Sequence, residues 1–321
     1  MDSKRLAMAF GLSAAILILW TVLFPAPKPA PRAAAPPKAT AAAPASPTAA
    51  AAAAAVPDVA AAPGPVVPVP PVVAAEPRFV SVRNGALTLQ LSNRGGEVVS
   101  ARLSRFLGHE GAPLELVRRD APFAGRTLVL DPVDPFLARA AAALHETTVE
   151  EGRAETVVRF RYREADGQGI TRTYTVGTGY LVGLAVEREG PGSRPVGVVL
   201  GPGMGNPTKE ELENRYTKPG SGVSLTASRS VSRKAKDGLE EPLPLGTGLI
   251  AAGLEDNYFL SAFLPGARES LMLRPVSLVA RPSAAAGGVP AAAPEPLVET
   301  EVVVSGAGVV ETGVYFGPKD I

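Results

Sequence analysis

Short segments in which apolar and polar residues alternate recur along the chain from residue 78 onward. Residues 86–91 alternate strictly, and residues 98–103 supply a returning strand after a glycine-containing turn at 92–96. A period of two puts one face of a strand inside and the other outside. Similar segments lie at 155–162, 170–176, 181–186, 196–200, 270–279, 297–304 and 309–316. The pattern predicts a mainly β fold, a large antiparallel β-sandwich of about 240 residues.

Helical patterns are few in this region. Thr208 followed by Glu211 has the form of a capping box, and Pro135–Leu144 is a second candidate helix. Residues 281–296 are rich in Ala, Gly and Pro and are predicted to form a surface loop between two strands.

An apolar run without charges extends from Leu6 to Phe24 and follows Lys4 and Arg5. Its nineteen residues would form a helix of about 28 Å, close to the ~30 Å hydrocarbon core of a bilayer. The basic residues and Trp20 predict a transmembrane anchor, residues 1–24, with a cytoplasmic N-terminus and an extracytoplasmic remainder. A cleaved signal peptide is the alternative, but the run is longer than a usual signal core and proline follows it.

Residues 25–77 consist almost entirely of Ala, Pro and Val. The prolines prevent a continuous helix and favour polyproline II, and too few large side chains are present to form a core. We therefore expect a disordered, semi-rigid tether that joins the anchor to a folded domain at residues 78–321.

The charge balance and the reactive side chains argue against several classes of function. Residues 76–321 carry 27 basic and 29 acidic side chains, so nucleic-acid binding is not expected. The chain has no cysteine, and its two histidines, His109 and His145, are expected at the surface. No metal site, cofactor site or catalytic motif is predicted. The basic residues between 229 and 236 precede acidic residues at 237–241 and are predicted to form a solvated hairpin or loop, with a partner-binding patch as the alternative.

Two segments near the end of the chain have more distinctive compositions. Residues 253–265, the first signature, read Gly-Leu-Glu-Asp-Asn-Tyr-Phe-Leu-Ser-Ala-Phe-Leu-Pro. By composition this segment is a core strand that follows an acidic turn. Residues 314–320, the second signature, read Val-Tyr-Phe-Gly-Pro-Lys-Asp.

These segments, together with the anchor, the tether and the turns at 84–85 and 92–96, resemble the N-terminal part of the bacterial membrane protein insertase YidC family. One departure is Ala251-Ala252, where the family often has Trp before the first signature. The matching residues are expected to be structural and not catalytic: Gly253, Leu254, Glu255, Asp256, Tyr258, Phe259, Tyr315, Phe316, Gly317, Pro318 and Lys319.

The resemblance implies a galactose-mutarotase-like β-supersandwich in the periplasm, held by one transmembrane helix in the bacterial inner membrane. It also implies help in inserting and folding membrane proteins, with nascent membrane proteins and Sec translocon components as partners. The five-helix insertase core that follows the Gly-Pro-Lys-Asp motif in the family has no counterpart up to Ile321. We therefore expect that core to be a separate partner or a missing part, and the sequence as given not to insert proteins by itself.

Two other functions remain open at the level of sequence. A mutarotase-like sugar enzyme would need a positioned acid and base, for which Glu255 and Asp256 are the best candidates. An envelope adaptor or energy transducer of the TonB type also joins one anchor to a Pro-rich arm, although such arms usually carry more charge and end in a smaller domain.

Overall fold

The computed structural model describes residues 70–108, 111–120, 122–191, 194–207, 221–246, 248–279 and 296–319. In these ranges the chain forms one α-helix, α1 (Pro135–Ala142), and eighteen strands. In chain order the strands are β1 (Phe79–Arg83), β2 (Leu87–Ser92), β3 (Glu97–Leu107), β4 (Pro113–Glu115), β5 (Val129–Leu130), β6 (Glu146–Glu151), β7 (Thr156–Arg163), β8 (Gly169–Val176), β9 (Leu181–Glu189), β10 (Pro195–Leu200), β11 (Ser221–Thr226), β12 (Val231–Ala235), β13 (Leu243–Pro244), β14 (Leu249–Glu255), β15 (Phe259–Pro265), β16 (Ser270–Leu278), β17 (Leu297–Ala307) and β18 (Val309–Pro318).

Several predicted segments lie outside the described residues. They are the apolar run at 6–24, the tether up to residue 69, the capping box at 208–211 and nearly all of the loop at 281–296. Within the described ranges, no helix has both the length and the apolar character needed to span a bilayer.

The described strands form three sheets, and their pairs are antiparallel. The largest sheet has nine strands in the order β12-β11-β14-β15-β18-β9-β8-β7-β6. A second sheet has the order β13-β16-β17-β10-β5, and a third has the order β1-β2-β3-β4. The predicted hairpin of 155–162 and 170–176 is confirmed as β7 and β8, which pair from Thr156 opposite Val176 to Arg163 opposite Gly169.

Alternating side chains of these sheets build one hydrophobic core. In β2, Leu87, Leu89 and Leu91 are buried, whereas the intervening residues are partly accessible. Side chains from all three sheets belong to the same buried cluster, so the nine-stranded sheet packs against the other two. Full burial of each leucine contributes about 2 kcal/mol, which makes this cluster the main source of stability. The predicted antiparallel β-sandwich is confirmed.

Helix α1 confirms the candidate helix at 135–144. Asp134 caps it, because its Oδ1 accepts a hydrogen bond from Leu137 N at 2.9 Å, and Pro135 occupies the first turn. Arg188 Nη1 donates to Asp134 Oδ2 at 2.6 Å and so attaches the start of the helix to β9. Phe136 and Leu137 face the core and are buried.

Candidate functional site at the end of the nine-stranded sheet

The two signature segments, which are distant in sequence, lie side by side in the nine-stranded sheet. The first signature contains the end of β14 and all of β15, and residues 314–318 of the second form the end of β18. Gly253 is opposite Ala262 across β14 and β15, and Leu260 is opposite Gly317 across β15 and β18. The structure therefore brings the predicted residues together on three neighbouring strands.

Glu255 is the charged centre of this strand end and is only 6% exposed. Arg233 Nε donates to its Oε1 at 2.5 Å, and Lys319 Nζ lies 3.0 Å from its Oε2. Ser221 Oγ donates to Oε1 at a longer distance of 3.5 Å. A buried carboxylate is costly unless it is paired, and the two cations supply the pairing. Glu255 thereby connects β11, β12, β14 and the residue that follows β18.

Asp256 organises the turn between β14 and β15. Its Oδ1 accepts hydrogen bonds from Tyr258 N at 2.8 Å and from Phe259 N at 2.7 Å. Its own backbone N donates to Phe259 O at 3.1 Å, which closes the turn. Lys319 N donates to Tyr258 O at 2.8 Å, so the end of the second signature is attached to this turn. The Tyr258 side chain points to solvent and is 74% exposed.

Tyr315, Gly317 and Pro318 form a compact end to β18. Tyr315 Oη donates to Pro318 O at 2.7 Å, and its ring meets that of Tyr180 with centroids 6.2 Å apart. A Cβ atom at Gly317 would lie 2.6 Å from Tyr315 Oη and 2.9 Å from Tyr180 Cγ. A larger residue at position 317 would have to displace these two rings.

The remaining predicted residues contribute to packing. Leu254 and Phe316 are buried in the core cluster. Phe259 is half-buried, and its ring contacts that of Phe106 edge to face with centroids 5.2 Å apart. Together with the ion pairs of Glu255, these contacts hold the ends of β14, β15 and β18 together, and we call this region the joint.

Both carboxylates of the first signature are engaged in holding this joint. Glu255 is bound by two cations and Asp256 by backbone amides. Among the described residues, no group of three His, Cys, Asp or Glu side chains is placed to hold a metal ion. The arrangement fixes Lys319 against the turn between β14 and β15, and it presents one exposed tyrosine, Tyr258, beside that point.

Sequence reasoning missed Tyr180 and the role of Arg233. Tyr180 O accepts a hydrogen bond from Phe316 N at 2.9 Å, in addition to the ring contact with Tyr315. The predicted hairpin at 229–236 is present, and every residue of β12 is exposed. Arg233 nevertheless pairs with Glu255, and Lys236 pairs with Glu299 at 3.3 Å, not with the acidic residues that follow. No local signal identifies these partners, because strand register and not spacing brings them together.

The joint yields a direct stability prediction. We expect Glu255→Gln to lower the free energy of unfolding by about 2 kcal/mol, because two cations lose a charged partner at a buried position. Chemical unfolding followed by circular dichroism measures the loss. Arg233→Ala is the matched control, since its side chain is 57% exposed and Lys319 stays on the carboxylate. We expect the control to lower the free energy of unfolding by less than about 1 kcal/mol. Equal losses in the two variants would contradict the role of Glu255 as the charged centre of the joint.

A second polar centre lies where residues 70–78 meet the folded domain. Asn93 is buried, and its Oδ1 accepts from Arg78 N at 2.8 Å. Its Nδ2 donates to Glu76 O at 3.0 Å and to His145 O at 3.3 Å. Upstream, Val72 N donates to Arg163 O at 2.9 Å. One asparagine thus joins the chain that leads into β1 with the segment that leads into β6.

His145 is fully buried, so the expectation of a surface histidine is wrong for this residue. Its Nε2–H donates to Ala140 O at 2.8 Å, and its ring stacks on Tyr162 with centroids 5.4 Å apart. Nδ1 is buried without a hydrogen-bond partner among the described residues. Burial lowers the pKa of His145 to about 4, the charge of Arg172 adds to this effect, and the bond to Ala140 opposes it. The ring is therefore neutral at neutral pH.

The buried imidazole makes stability depend on pH. The unfolded chain binds a proton at His145 near pH 6.5, whereas the folded chain resists it until about pH 4. Stability is therefore complete above pH 6.5 and is lost as the pH falls toward 4. We expect a loss of about 2 kcal/mol between pH 6.5 and 5, measured as the difference between wild type and His145→Gln in urea unfolding. Parallel pH profiles for the two proteins would contradict this assignment.

The fold has distant likenesses among solved structures. A galactose mutarotase related enzyme from Lactobacillus acidophilus aligns with a TM-score of 0.44 and 10% identity, covering 74% of this chain and 97% of that one. A galactose mutarotase-like protein from Lactobacillus casei aligns with a TM-score of 0.40 and 11% identity, covering 75% and 100%. Similarity at this level carries no conclusion about activity.

Closer relationships are found by sequence. The membrane protein insertase YidC of Coxiella burnetii strain Dugway is 25% identical over 203 residues, which cover 60% of this chain and 36% of the relative. The YidC of strain RSA 493 is 24% identical with the same coverage. The match thus spans little more than a third of these relatives' length. The profile of the YidC periplasmic domain matches residues 79–321, so the chain belongs to the YidC periplasmic domain family.

Proposed function

We propose that this chain is the membrane-anchored periplasmic part of a YidC-type insertase and that it assists the insertion and folding of inner-membrane proteins. The observation that carries the proposal is the family match over residues 79–321. The curated relatives, which are named as membrane protein insertases, support it. The proposed location is the bacterial inner membrane, with residues 1–24 as a single anchor, 25–77 as a tether and 78–321 in the periplasm.

The proposed partners are nascent membrane proteins, components of the Sec translocon and a five-helix insertase core. The signature residues support a mechanical role in this assembly. Lys319 is held to both Glu255 and the Tyr258 carbonyl. A core attached after residue 319 would therefore leave the domain in a fixed direction, which is useful for a module that must stay oriented toward the membrane.

We also propose that the domain works without catalysis. The best acid–base candidates support this view, because Glu255 is paired with Arg233 and Lys319 and Asp256 is bound to turn amides. General acid–base catalysis needs a group that is free to exchange a proton with substrate. A sugar-dependent activity that disappears when both residues are replaced by Ala would contradict the proposal.

The assisting role is tested in inverted inner-membrane vesicles. Vesicles that contain the full protein are compared with vesicles in which residues 79–321 are deleted and residues 1–78 are kept. We expect the deletion to reduce the protease-protected fraction of newly made inner-membrane reporters. Unchanged insertion of all reporters would contradict the role. The intact mass of the native protein, compared with 32.9 kDa for this sequence, shows whether the insertase core is part of the same chain.

A further inference from the structure

Two sheets end in strands that border the same groove. β1 is the last strand of the four-stranded sheet, and β6 is the last strand of the nine-stranded sheet. Neither strand pairs with another strand of the described residues on its outer side. The groove between them has a volume of about 460 Å³ and is lined by residues 78–83 together with Val149, Glu151 and Thr156.

The hydrogen-bond pattern of β1 shows which backbone groups face this groove. Asn93 N donates to Arg78 O at 2.9 Å, and Asn84 N donates to Leu87 O at 3.1 Å. Antiparallel pairing alternates, so the even-numbered residues of β1 bond to β2. The backbone N–H and C=O groups of Phe79, Ser81 and Arg83 therefore point away from β2, and the side chains of these residues are exposed.

The same reasoning applies to β6. Gly152 N donates to Glu155 O at 2.9 Å, which assigns the even-numbered residues of β6 to its partner β7. The backbone groups of Thr147, Val149 and Glu151 point to the other side. His145 N, two residues before Thr147, already donates to Asn93 O at 2.7 Å on that side. Although their backbone groups face the groove, Thr147 and Val149 have half-buried side chains, whereas the groove-facing residues of β1 have exposed side chains.

The two strands start at the same place. Arg78 precedes β1 and His145 precedes β6, and both of these residues are bonded to Asn93, so both strands lead away from that point along the groove. One strand running in the opposite direction would therefore be antiparallel to β1 and to β6 at once.

The side-chain faces of the two edges also agree with a single inserted strand. In such a strand, residues that bond to one neighbour place their side chains on one face, and residues that bond to the other neighbour use the opposite face. The groove-facing residues of β1 have outer side chains, whereas Thr147 and Val149 of β6 have inner ones. A single inserted strand can bond to β1 and to β6 at once only when the side chains of the two edge strands lie on opposite faces in this way.

The edge of β1 has few of the features that usually prevent pairing. It contains no proline or lysine, its one charged residue, Arg83, is its last residue, and its register to β2 is regular. Phe79 of this strand is 61% exposed. At the other end of the nine-stranded sheet, the edge strand β12 carries two adjacent charges, Arg233 and Lys234. The two edges present rows of alternating backbone N–H donors and C=O acceptors. A polypeptide backbone can bond to both rows along its length, whereas a small ligand cannot.

We propose that the groove between β1 and β6 binds one extended polypeptide segment as an inserted antiparallel strand. Segment residues that bond to β1 carry polar side chains toward solvent, and those that bond to β6 carry apolar side chains toward Val149. The identity of the natural occupant rests on the proposed function: it is an extended segment of a membrane protein during its insertion.

The test measures binding of a synthetic peptide to the full chain of residues 1–321 in detergent. The probe is a fluorescein-labelled heptapeptide of alternating Thr and Val, and binding is followed by fluorescence anisotropy. N-methylation of the Thr amides blocks bonds to β1, and N-methylation of the Val amides blocks bonds to β6. We expect each methylated peptide to bind at least tenfold more weakly. Unchanged binding of either methylated peptide, or no binding of the parent peptide, overturns the proposal.

A matched pair of variants tests the same point from the protein side. Ser81→Pro removes a groove-facing N–H without a bond to β2, and we expect it to weaken peptide binding at least tenfold. Ala235→Pro is the control on the edge strand β12, where φ of −65° already suits proline, and we expect no change in binding. Equal effects of the two variants overturn the proposal, and the methylated peptides decide the matter if Ser81→Pro does not fold.

A second copy of the chain is the competing occupant. Sedimentation equilibrium distinguishes it, because a dimer that Ser81→Pro disrupts would show β1 edges pairing with each other and would overturn the peptide proposal. A monomer supports it. Peptide binding needs no insertase activity, so failure in this assay with normal insertion in vesicles rejects the groove alone. The opposite outcome is also informative. If the peptide binds normally to the full chain, but deletion of residues 79–321 leaves insertion in vesicles unchanged, the proposed function and the natural occupant are both rejected.

Discussion

We expect Arg172→Ala to lower the free energy of unfolding by about 4 kcal/mol, which would leave a domain of ordinary stability only marginally folded. Arg172 lies in β8 and is fully buried. Its Nη1 donates to Gly95 O at 2.8 Å, and its Nη2 donates to Leu128 O at 2.5 Å and to Tyr174 Oη at 2.8 Å. Truncation leaves buried acceptors without donors and opens a cavity, and both effects destabilise the fold.

Removal of the Arg172 charge is also expected to affect the neighbouring carboxylate of Glu97. Burial raises the pKa of Glu97, and the charges of Arg126 and Arg172 oppose that shift. Without Arg172 the pKa of Glu97 rises further, so we expect the destabilisation to grow as the pH increases above the carboxylate's ordinary range.

Guanidinium unfolding of two control variants separates the causes. Arg172→Met keeps most of the side-chain volume and isolates the lost hydrogen bonds. Arg159→Ala lies on the adjacent strand β7, where Arg159 pairs with exposed Glu150 at 3.3 Å, and we expect it to cost less than about 1 kcal/mol. A loss in Arg172→Ala no greater than in Arg159→Ala would show that the buried guanidinium is not needed for stability.

Gly253→Ala is expected to lower the free energy of unfolding by about 3 kcal/mol. Gly253 lies opposite Ala262 across β14 and β15. A Cβ atom at position 253 would overlap the Ser261 carbonyl oxygen and lie 2.5 Å from Ala262 Cα. Since both obstacles belong to the backbone region of the paired strand, β14 and β15 must separate to admit the methyl group. Thermal unfolding measures the loss.

Gly177→Ala provides the matched control for this substitution. A Cβ atom at Gly177 meets no atom within 4 Å. We expect its effect on stability to stay within about 0.5 kcal/mol, as for other open surface positions. If both alanine variants unfold at the same temperature, the close approach of β14 and β15 does not constrain residue 253.

Several features of this protein followed directly from local patterns. Alternation in residues 86–91 and 170–176 predicted strands, and both are present as β2 and β8. The candidate helix at 135–144 is present as α1, which begins at Pro135. An acidic turn before the core strand of the first signature was also predicted, and Asp256 forms it by accepting bonds from amides two and three residues ahead.

Residues that meet through the fold could not be found in this way. Arg172 occupies an ordinary polar position in an alternating strand, yet its side chain crosses the core to bind two carbonyls. His145 was expected at the surface, yet the end of α1 and Tyr162 enclose it. Tyr180 and Arg233 became visible only when strand pairing placed them beside Tyr315 and Glu255.

From the residue pattern alone came the mainly β architecture, most strand positions, helix α1 and the two signatures that led to the family. Periodicity, caps and turn residues act over a few positions, so they are legible without knowledge of the fold. The tertiary structure alone decided how the strands divide into three sheets, which polar groups are buried, and which two sheet edges border one groove. Those outcomes depend on strand register and on packing between distant segments, and no short stretch of sequence encodes them.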